Sequence, residues 1–174
     1  MLSGIDGYEA LPTRSPPMRP GMVFLLERDD CHMVLVVDTG GRLDVSQERL
    51  WKLIFAHVPD MAKIHAGRDD WQGVMVDDHT LVGTYTDLTG GKRTPIKLRL
   101  SVFPPLGFAF EALEGPLAGS KFFQYFEAKG RHIETTVVGD FQSAVIPAGE
   151  LEKVARDFLQ VVWDEDLAYL SRMA

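Results

Sequence analysis

The side chains of this chain with the strongest affinity for metal ions are five histidines and one cysteine: His32, His57, His65, His79, His132 and Cys31. No two histidines are four residues apart on a predicted helix, the spacing of a zinc-protease helix, and one cysteine supplies no set of thiolate ligands. The acidic pairs Asp69-Asp70 and Asp77-Asp78 fall near strand ends, where solvated turn residues are common. The sequence therefore predicts no metal site, and it predicts no cofactor.

No motif for covalent or phosphate chemistry is present in the sequence. A Gly-x-Ser-x-Gly elbow, which would place a nucleophilic serine on a sharp turn, does not occur. Gly90-Gly91-Lys92 lacks the spacing and the strand-to-helix setting of a phosphate-binding loop, so it is interpreted as a hairpin turn. Cys31 begins an apolar strand, where a free cysteine is typically an inert core residue.

Acid–base chemistry in an apolar cavity needs only one or two inward ionisable groups, whose pKa values burial shifts. The first candidates are His65, Tyr85 and Glu134, and further polar candidates are Asp87, Arg99, Gln124 and Tyr125. Alternation assigns each strand residue to one of two faces, but it does not show which face is concave. A purely structural role stays open for every one of these residues.

The first elements that would position these groups are a strand and two short helices. Cys31 to Asp38 (CHMVLVVD) is rich in β-branched residues and stops at Gly40-Gly41, which is typical of a strand. Ser46 is a predicted N-cap, and apolar residues from Leu50 to Val58 follow it at helical spacing. Pro59 suits the first turn of a second short helix, Pro59 to His65.

Six strand candidates and one long helix follow. The strand candidates are Trp71 to Val76, Thr80 to Leu88, Pro95 to Phe103, Gly107 to Leu113, Leu117 to Ala128 and His132 to Phe141. Turn signals recur about every ten residues, which indicates an antiparallel meander. Glu150 to Met173 carries an apolar stripe at helical spacing, and a helix of this length crosses a whole sheet. Asp166 falls on the edge of that stripe, but the acidic run Trp163 to Asp166 is interpreted as a solvated face with one buried indole.

The strand Pro95 to Phe103 has the clearest division between two faces. Its apolar residues Ile96, Leu98 and Leu100 alternate with Lys97 and Arg99. We expect Lys97 and Arg99 on the outer face, where acidic residues of neighbouring strands such as Glu111 and Glu127 can pair with them.

Length and composition predict one domain with a tail. Residues 1–21 contain four prolines and show no periodicity, so they are predicted to be flexible, and residues 22–174 are predicted to form a single domain. Met22 to Leu26 is a candidate for an extra edge strand.

The charge and cysteine content exclude several classes of partner. A formal net charge of −7 argues against nucleic-acid binding, which draws on basic patches. One cysteine allows no internal disulfide. No apolar run approaches the ~20 residues that span a bilayer, and no signal peptide is recognised, so the expected location is the cytoplasm. The oligomeric state is left open.

Three segments carry a resemblance to a known family. VSQERLWKLIFAHVPDMAKI (Val45 to Ile64) is a helix leading into a proline-containing helix, HIETTVVGDFQ (His132 to Gln142) is a closing strand, and the amphipathic helix follows. With the element order, Cys31 to Met173 resembles the START-related SRPBCC superfamily, which includes pollen allergens, lipid-transfer domains and polyketide cyclases. The resemblance implies the α+β helix-grip fold, a curved seven-stranded antiparallel sheet wrapped around the long C-terminal helix, with an apolar cavity inside.

The function that this resemblance implies is binding or transport of a hydrophobic small molecule, such as a lipid, polyketide, isoprenoid or aromatic compound. The expected lining is Leu53, Ile64, Trp71, Tyr85, Leu98, Leu100, Phe108, Phe110, Phe126, Phe158 and Val162. The expected entrance lies between the second short helix and the loop Pro104 to Gly107 or the loop Leu88 to Thr94.

Two alternatives stay open at the level of sequence. The first is an enzyme of the polyketide cyclase or aromatase type, with His65, Tyr85 or Glu134 as its acid or base. The second is an interaction protein that acts through its surface. A buried, hydrogen-bonded ionisable side chain at the cavity wall would favour the enzyme, a dry apolar wall would favour transport, and a filled interior beside an exposed apolar patch would favour the interaction protein.

Overall fold

The computed structural model describes residues 25–28 and 31–173, which form one antiparallel sheet and two α-helices. The strands are β1 (Leu25–Arg28), β2 (Cys31–Leu43), β3 (Arg68–Met75), β4 (Thr80–Asp87), β5 (Thr94–Phe103), β6 (Gly107–Glu114), β7 (Lys121–Lys129) and β8 (His132–Ser143). The helices are α1 (Gln47–Ile64) and α2 (Ala148–Arg172), and a 3₁₀ turn spans Thr89–Gly91. The predicted tail, residues 1–21, and the side chain of Cys31 lie outside the described residues.

The strand order across the sheet is β1-β2-β8-β7-β6-β5-β4-β3. Strands β3 to β8 form the predicted meander, and β2 pairs with β8, so the first predicted strand lies beside the last. Strands β2 to β8 confirm the predicted seven-stranded sheet. Strand β1 pairs with β2 and adds an eighth strand at the edge, overlapping the sequence candidate Met22 to Leu26.

Irregular register bends three strands of the sheet. The extra residues lie between Thr39 and Gly41 in β2, between Asp69 and Gln72 in β3, and between Ala112 and Glu114 in β6. A bulge inserts an extra residue into one strand, which bends that strand and increases its twist. The concave face of the curved sheet is the face against which α2 packs.

Alternation along the strands separates this concave face from the outer face. Leu98 in β5 is buried, whereas Arg99 is exposed and lies 2.7 Å from Glu111 of β6 across the outer face. Lys97 lies 3.1 Å from Glu114, so the predicted outward position of both cations is confirmed. Glu127 bonds instead with Lys129 of its own strand, because β6 lies between β7 and the cations of β5.

Helix α1 consists of two helical segments joined by a kink at Asp60, in agreement with the two short helices that the sequence predicts. The hydroxyl of Ser46 accepts the Arg49 N–H at 3.2 Å, which confirms the predicted N-cap. Proline lacks an N–H and clashes with the preceding turn, and the backbone departs from helical angles directly after Pro59, at Asp60 (φ −119°, ψ 17°). The kink changes the direction of the last turn, so residues on either side of it can face one point.

Helix α2 is anchored by two separate apolar cores, one at each end. Leu151 and Ala155 are fully buried against β2 and β8, in a core that includes Val34, Val36 and Phe141. Leu170, near the other end, is buried in a second core made with α1 and β8. Between these anchors, the inward residues of α2 are only half-buried. The middle of α2 therefore spans a cavity. Neither described helix combines the length and apolarity needed to cross a bilayer.

The end of α2 is capped by a side chain from α1. Arg49 Nη2 donates to the Leu170 carbonyl at 2.7 Å and to the Met173 carbonyl at 2.5 Å. A cation at this position complements the negative end of the helix dipole and satisfies carbonyl groups that have no helical partner. Arg49 therefore fixes the end of α2 against α1.

We expect Arg49→Met to lower the free energy of unfolding by about 1.5–3 kcal/mol, because it removes two hydrogen bonds from a charged donor. The matched control is Lys52→Met, since Lys52 is exposed and pairs with Glu48 on the same helix. Lys52→Met should lower the free energy of unfolding by at most about 0.5 kcal/mol. Urea unfolding measures both, and equal losses in the two variants would contradict the capping role.

Candidate functional site

A cavity lies between the concave face of the sheet and the middle of α2, and it has two compartments. The histidine compartment has a volume of about 140 Å³ and includes His57, His65, Asp166, Phe108 and Gln124 in its wall. The loop compartment has a volume of about 340 Å³ and includes Ala66, Thr89, Pro116, Val154 and Val161 in its wall. Both compartments share the side chains of Arg68, Tyr85, Phe110, Phe158 and Val162, which separate them.

Seven of the eleven residues expected to line the cavity do contact it: Tyr85, Leu98, Leu100, Phe108, Phe110, Phe158 and Val162. They come from four adjacent elements, β4, β5, β6 and α2, whose inward faces converge on the same space. Phe110 stacks on Phe122 with ring centroids 4.8 Å apart and lies 5.9 Å from Phe158, so aromatic side chains dominate this wall.

The other four expected lining residues lie elsewhere. Leu53, Ile64 and Phe126 are buried in the core that anchors Leu170, so they pack against protein atoms and not against the cavity. Trp71 lies on the edge strand β3, where its indole N–H donates to the Val58 carbonyl at 2.8 Å. Periodicity identifies a buried face, but it does not distinguish a solid core from a cavity wall.

The loop compartment reaches one of the two expected entrances. Its wall includes Ala66, which follows α1, and Thr89, which lies in the loop Leu88 to Thr94. Val161, on the same rim, has 55% of its surface exposed. No residue of Pro104 to Gly107 lines either compartment, so that alternative entrance is wrong.

The polar part of the cavity wall is a cluster of two histidines and two carboxylates. His57 Nε2 lies 3.0 Å from His65 Nε2, and His57 Nδ1 lies 2.9 Å from the Leu53 carbonyl oxygen. His65 Nδ1 lies 2.8 Å from Glu165 Oε2. Asp166 Oδ1 lies 3.2 Å from His57 Nε2, on the side of the cluster that faces the histidine compartment. The cluster is a continuous polar chain in a cavity wall that is mostly apolar.

The kink of α1 and the register of α2 bring this cluster together. His57 precedes Pro59, and His65 is the C-cap residue of α1, whose backbone N–H donates to the Met61 carbonyl at 2.9 Å. The change of direction at Asp60 aims both imidazoles at α2. Glu165 and Asp166 are consecutive on α2, so they meet neighbouring histidines.

Burial controls the ionisation of the cluster. Burial lowers the pKa of His65 to about 2, and the positive charge of Arg68 and the neighbouring His57 add to this effect. Burial also raises the pKa of the Glu165 carboxyl and of the Tyr85 hydroxyl above their ordinary values. His65 is therefore neutral at physiological pH, with one N–H and one lone pair.

Two of the three predicted acid–base candidates lie at this cavity. His65 is 1% exposed and belongs to the cluster, and Tyr85 lines both compartments. The third candidate, Glu134, does not lie at the cavity. It points to the outer face, where its carboxylate lies 3.5 Å from His132, because β8 directs Ile133 and Thr135 inward. Among the further candidates, Gln124 lines the cavity and Tyr125 is exposed on the outer face.

Sequence reasoning missed His57, Glu165 and Asp166 as site residues. The interpretation of Trp163 to Asp166 as a solvated face is wrong for Glu165 and Asp166, which both line the cavity. The available signal was the position of Asp166 on the apolar stripe of α2, since a carboxylate there has to face the interior. Of the residues that the structure describes, His57, His65 and Asp166 form the group whose ligand atoms all lie within 4.8 Å of one another.

Comparison by sequence finds no matching protein-family profile and no matching curated protein. Comparison by structure finds many. The Zhui aromatase/cyclase from Streptomyces sp. R1128 matches with a TM-score of 0.67 at 14% identity, over 81% of this chain and 95% of that chain. Ara h 8.0201 matches with a TM-score of 0.65 at 14% identity, over 82% of this chain and 99% of that chain. A START superfamily protein from Mycobacterium smegmatis matches with a TM-score of 0.65 at 11% identity, over 80% and 99%.

These similarities cover nearly the full length of each compared protein and define the class of fold. The chain shares the helix-grip fold of these proteins, which is the fold that the resemblance of its sequence predicts. At such low identity the similarity concerns the fold alone, so function has to be argued from the cavity.

Proposed function

We propose that this protein binds a hydrophobic small molecule in the cavity between the sheet and α2. The observation that carries the proposal is the apolar wall shared by both compartments, to which Phe110, Phe158 and Val162 contribute. Ligand sites typically occupy about 300–1,000 Å³ and have mostly apolar walls with a few polar groups, and the loop compartment alone falls in that range.

The distribution of polar groups supports a ligand with one polar end. His57, His65, Asp166, Gln124 and Arg68 lie in the wall of the histidine compartment. The loop compartment also has acidic residues in its wall, of which Glu114 and Asp157 are exposed. A ligand that places a carbonyl or hydroxyl oxygen against this cluster, and its hydrocarbon part against Phe110 and Phe158, would satisfy both regions. Affinity would come from burial of apolar surface, worth about 25 cal/mol per Å² removed from water, while the polar end would set the orientation.

An enzyme that performs acid–base chemistry on the same ligand is the second candidate. The observation that favours it is His65, a buried imidazole at the cavity wall whose ring nitrogens lie 3.0 Å from His57 Nε2 and 2.8 Å from Glu165 Oε2. A cyclase or aromatase would use such a group to move a proton next to a carbonyl of the ligand. Release of a product that differs in mass from the supplied compound would separate this candidate from transport.

A surface-acting interaction protein is less well supported. Leu106 and Tyr125 are exposed on or beside the outer face, and Phe103 is half exposed there. However, the interior is not filled, and a cavity with a polar cluster has no role in recognition through the outer face.

We expect Val162→Trp to weaken binding of the uncharged apolar fluorophore N-phenyl-1-naphthylamine by about tenfold or more, equivalent to about 1.4 kcal/mol. Val162 contributes to both compartments, so a larger ring there fills the space that a ligand would occupy. Fluorescence titration measures the dissociation constant for wild type and variant.

Val74→Trp is the matched control, since Val74 is 65% exposed on β3 and lines neither compartment. It should bind the fluorophore as wild type does. If the Val162→Trp variant unfolds at the same urea concentration as wild type and still binds the fluorophore with wild-type affinity, the cavity is not the binding site.

A further inference from the structure

Three lone-pair donors converge at one point in the wall of the histidine compartment. His57 Nε2 lies 3.0 Å from His65 Nε2. Asp166 Oδ1 lies 3.2 Å from His57 Nε2 and 3.7 Å from His65 Nε2. His57 and His65 are only 8% and 1% exposed, so bulk water does not separate these atoms. The three atoms form a compact triangle that is closed on the protein side.

The hydrogen bonds behind the histidines leave both Nε2 atoms facing the triangle. A carbonyl oxygen can only accept, so His57 Nδ1 carries the proton that it donates to the Leu53 carbonyl, and a ring with this single proton has its lone pair on Nε2. An ionised Glu165 likewise accepts from His65 Nδ1 and leaves the lone pair of His65 on Nε2. Two lone pairs then face each other at 3.0 Å beside a carboxylate oxygen, which is repulsive unless a cation lies between them.

Asp166 supplies the independent observation. Its Oδ1 atom is fully buried, and it accepts no hydrogen bond from any of the described residues. A buried carboxylate oxygen without a partner is costly, so such atoms mark strain or a bound cation. A proton shared between the two imidazoles would relieve their repulsion and place a positive charge 3.2 Å from Asp166 Oδ1, but the geometry gives that oxygen no hydrogen bond.

We propose that His57, His65 and Asp166 bind one divalent transition-metal ion of the class that prefers imidazole nitrogen and carboxylate oxygen, such as Zn²⁺ or Fe²⁺. The ion would accept the three converging lone pairs at once. This inference goes beyond the binding of a hydrophobic molecule and does not depend on it.

The spacing of the donor atoms fits this class of metal. Bonds of about 2.0–2.2 Å to nitrogen and oxygen place the ligands of a tetrahedral ion about 3.3 Å apart, and those of an octahedral ion about 3.0 Å apart. The separations of 3.0, 3.2 and 3.7 Å bracket these values. Small side-chain movements therefore suffice to admit the ion.

The groups behind the ligands match the outer shell of a metal centre. Metal-binding histidines donate their second N–H to a carboxylate or a backbone carbonyl, which fixes the tautomer and the ring orientation. His65 has Glu165 in this position and His57 has the Leu53 carbonyl. Glu165 is thus a positioning residue that acts through His65.

The open side of the triangle faces the histidine compartment. Three protein ligands and one accessible position are the arrangement of catalytic metal sites, whereas structural sites use four protein ligands. A water molecule or an oxygen of a bound compound would occupy the fourth position. Arg68, whose guanidinium lies 5.2 Å from the centre of the Tyr85 ring, adds positive charge nearby and would favour an anionic oxygen there.

The test is a titration of untagged, full-length, chelator-treated protein with Zn²⁺ in competition with a chromophoric chelator. We expect one equivalent of Zn²⁺ per chain and no competition from Mg²⁺, which prefers oxygen ligands. Asp166→Asn and His57→Gln should each weaken Zn²⁺ binding by about a hundredfold, and Glu165→Gln by about 10–100-fold, because outer-shell changes have effects of that size. Co²⁺ should give the visible absorption of a low-symmetry site in wild type only.

Asp164→Asn and His79→Ala are the matched controls, since both residues are exposed and lie outside the triangle. Both controls should bind Zn²⁺ as wild type does. Circular dichroism checks folding; if Asp166→Asn does not fold, His57→Gln carries the test, together with the rise in melting temperature that Zn²⁺ gives wild type. The proposal is overturned if wild type does not bind one equivalent of Zn²⁺, or if His57→Gln binds Zn²⁺ as tightly as wild type. His57 and His65 would then share a proton instead of a metal ion. Fluorophore binding by the metal-free protein, measured in parallel, separates this failure from failure of the proposed function.

Discussion

Phe110→Arg should abolish binding of N-phenyl-1-naphthylamine and lower the free energy of unfolding by about 3 kcal/mol or more. Phe110 separates the two compartments and contributes to the wall of both. Its ring stacks on the Phe122 ring with the centroids 4.8 Å apart, and its centroid lies 5.9 Å from that of Phe158. The substitution removes this aromatic packing and directs a guanidinium group into an apolar space, and both changes are costly.

Phe103→Arg is the matched control, because Phe103 is 46% exposed at the end of β5. It should change stability by less than about 1 kcal/mol and leave fluorophore binding intact. Phe110→Ala separates loss of folding from loss of the site, since it enlarges the cavity without adding charge. Wild-type stability and binding in Phe110→Arg would show that the assignment of Phe110 to the interior is wrong.

Leu53→Ala should lower the free energy of unfolding by about 2–5 kcal/mol without weakening fluorophore binding to the folded protein. Leu53 is 1% exposed and packs in the core that anchors Leu170, away from both compartments. The loss comes from removed apolar contacts and the small void that remains. Urea unfolding gives the stability, and fluorescence titration at low temperature gives the affinity.

Leu100→Ala provides the opposite pattern, because Leu100 is half-buried at the cavity wall. It should change affinity for the fluorophore and cost less stability than Leu53→Ala. If Leu53→Ala altered the affinity and Leu100→Ala did not, the division between core and cavity wall would be incorrect.

The sequence predicts the fold well because each of its signals is local. Turn residues between alternating strands predict the meander, and the apolar stripe of α2 predicts a helix across the sheet. The division into core and cavity is not local. Leu53 and Leu98 have the same apolar character, yet only Leu98 lines the cavity, because α2 is anchored at its ends and spans open space in between.

The histidine cluster could not be predicted from motifs with fixed residue spacing. His57 and His65 are eight residues apart, and an unkinked helix would not aim both rings at one point of α2. The break after Pro59 changes the direction of the chain between them. Asp166 comes from an element a hundred residues further along the chain. Tertiary structure was therefore required to bring together groups that no sequence motif relates.

Glu134 illustrates the remaining ambiguity of strand alternation. Its neighbours Ile133 and Thr135 face inward, but the sequence does not show which of two alternating sets faces the helix. In β5 the charged residues resolve this question, since Arg99 has to face solvent. In β8 both sets contain polar residues, and only the structure assigns Glu134 to the outer face.

Native mass spectrometry of the purified, untagged protein, followed by fluorophore titration after organic extraction, tests the central claim most directly. We expect either a co-purified small molecule at one per chain or, in the extracted and refolded protein, uptake of one fluorophore per chain. Either result would support an internal binding cavity, and the mass of a co-purified compound would identify its chemical class. A folded protein that carries no small molecule and takes up no fluorophore would contradict the proposed function.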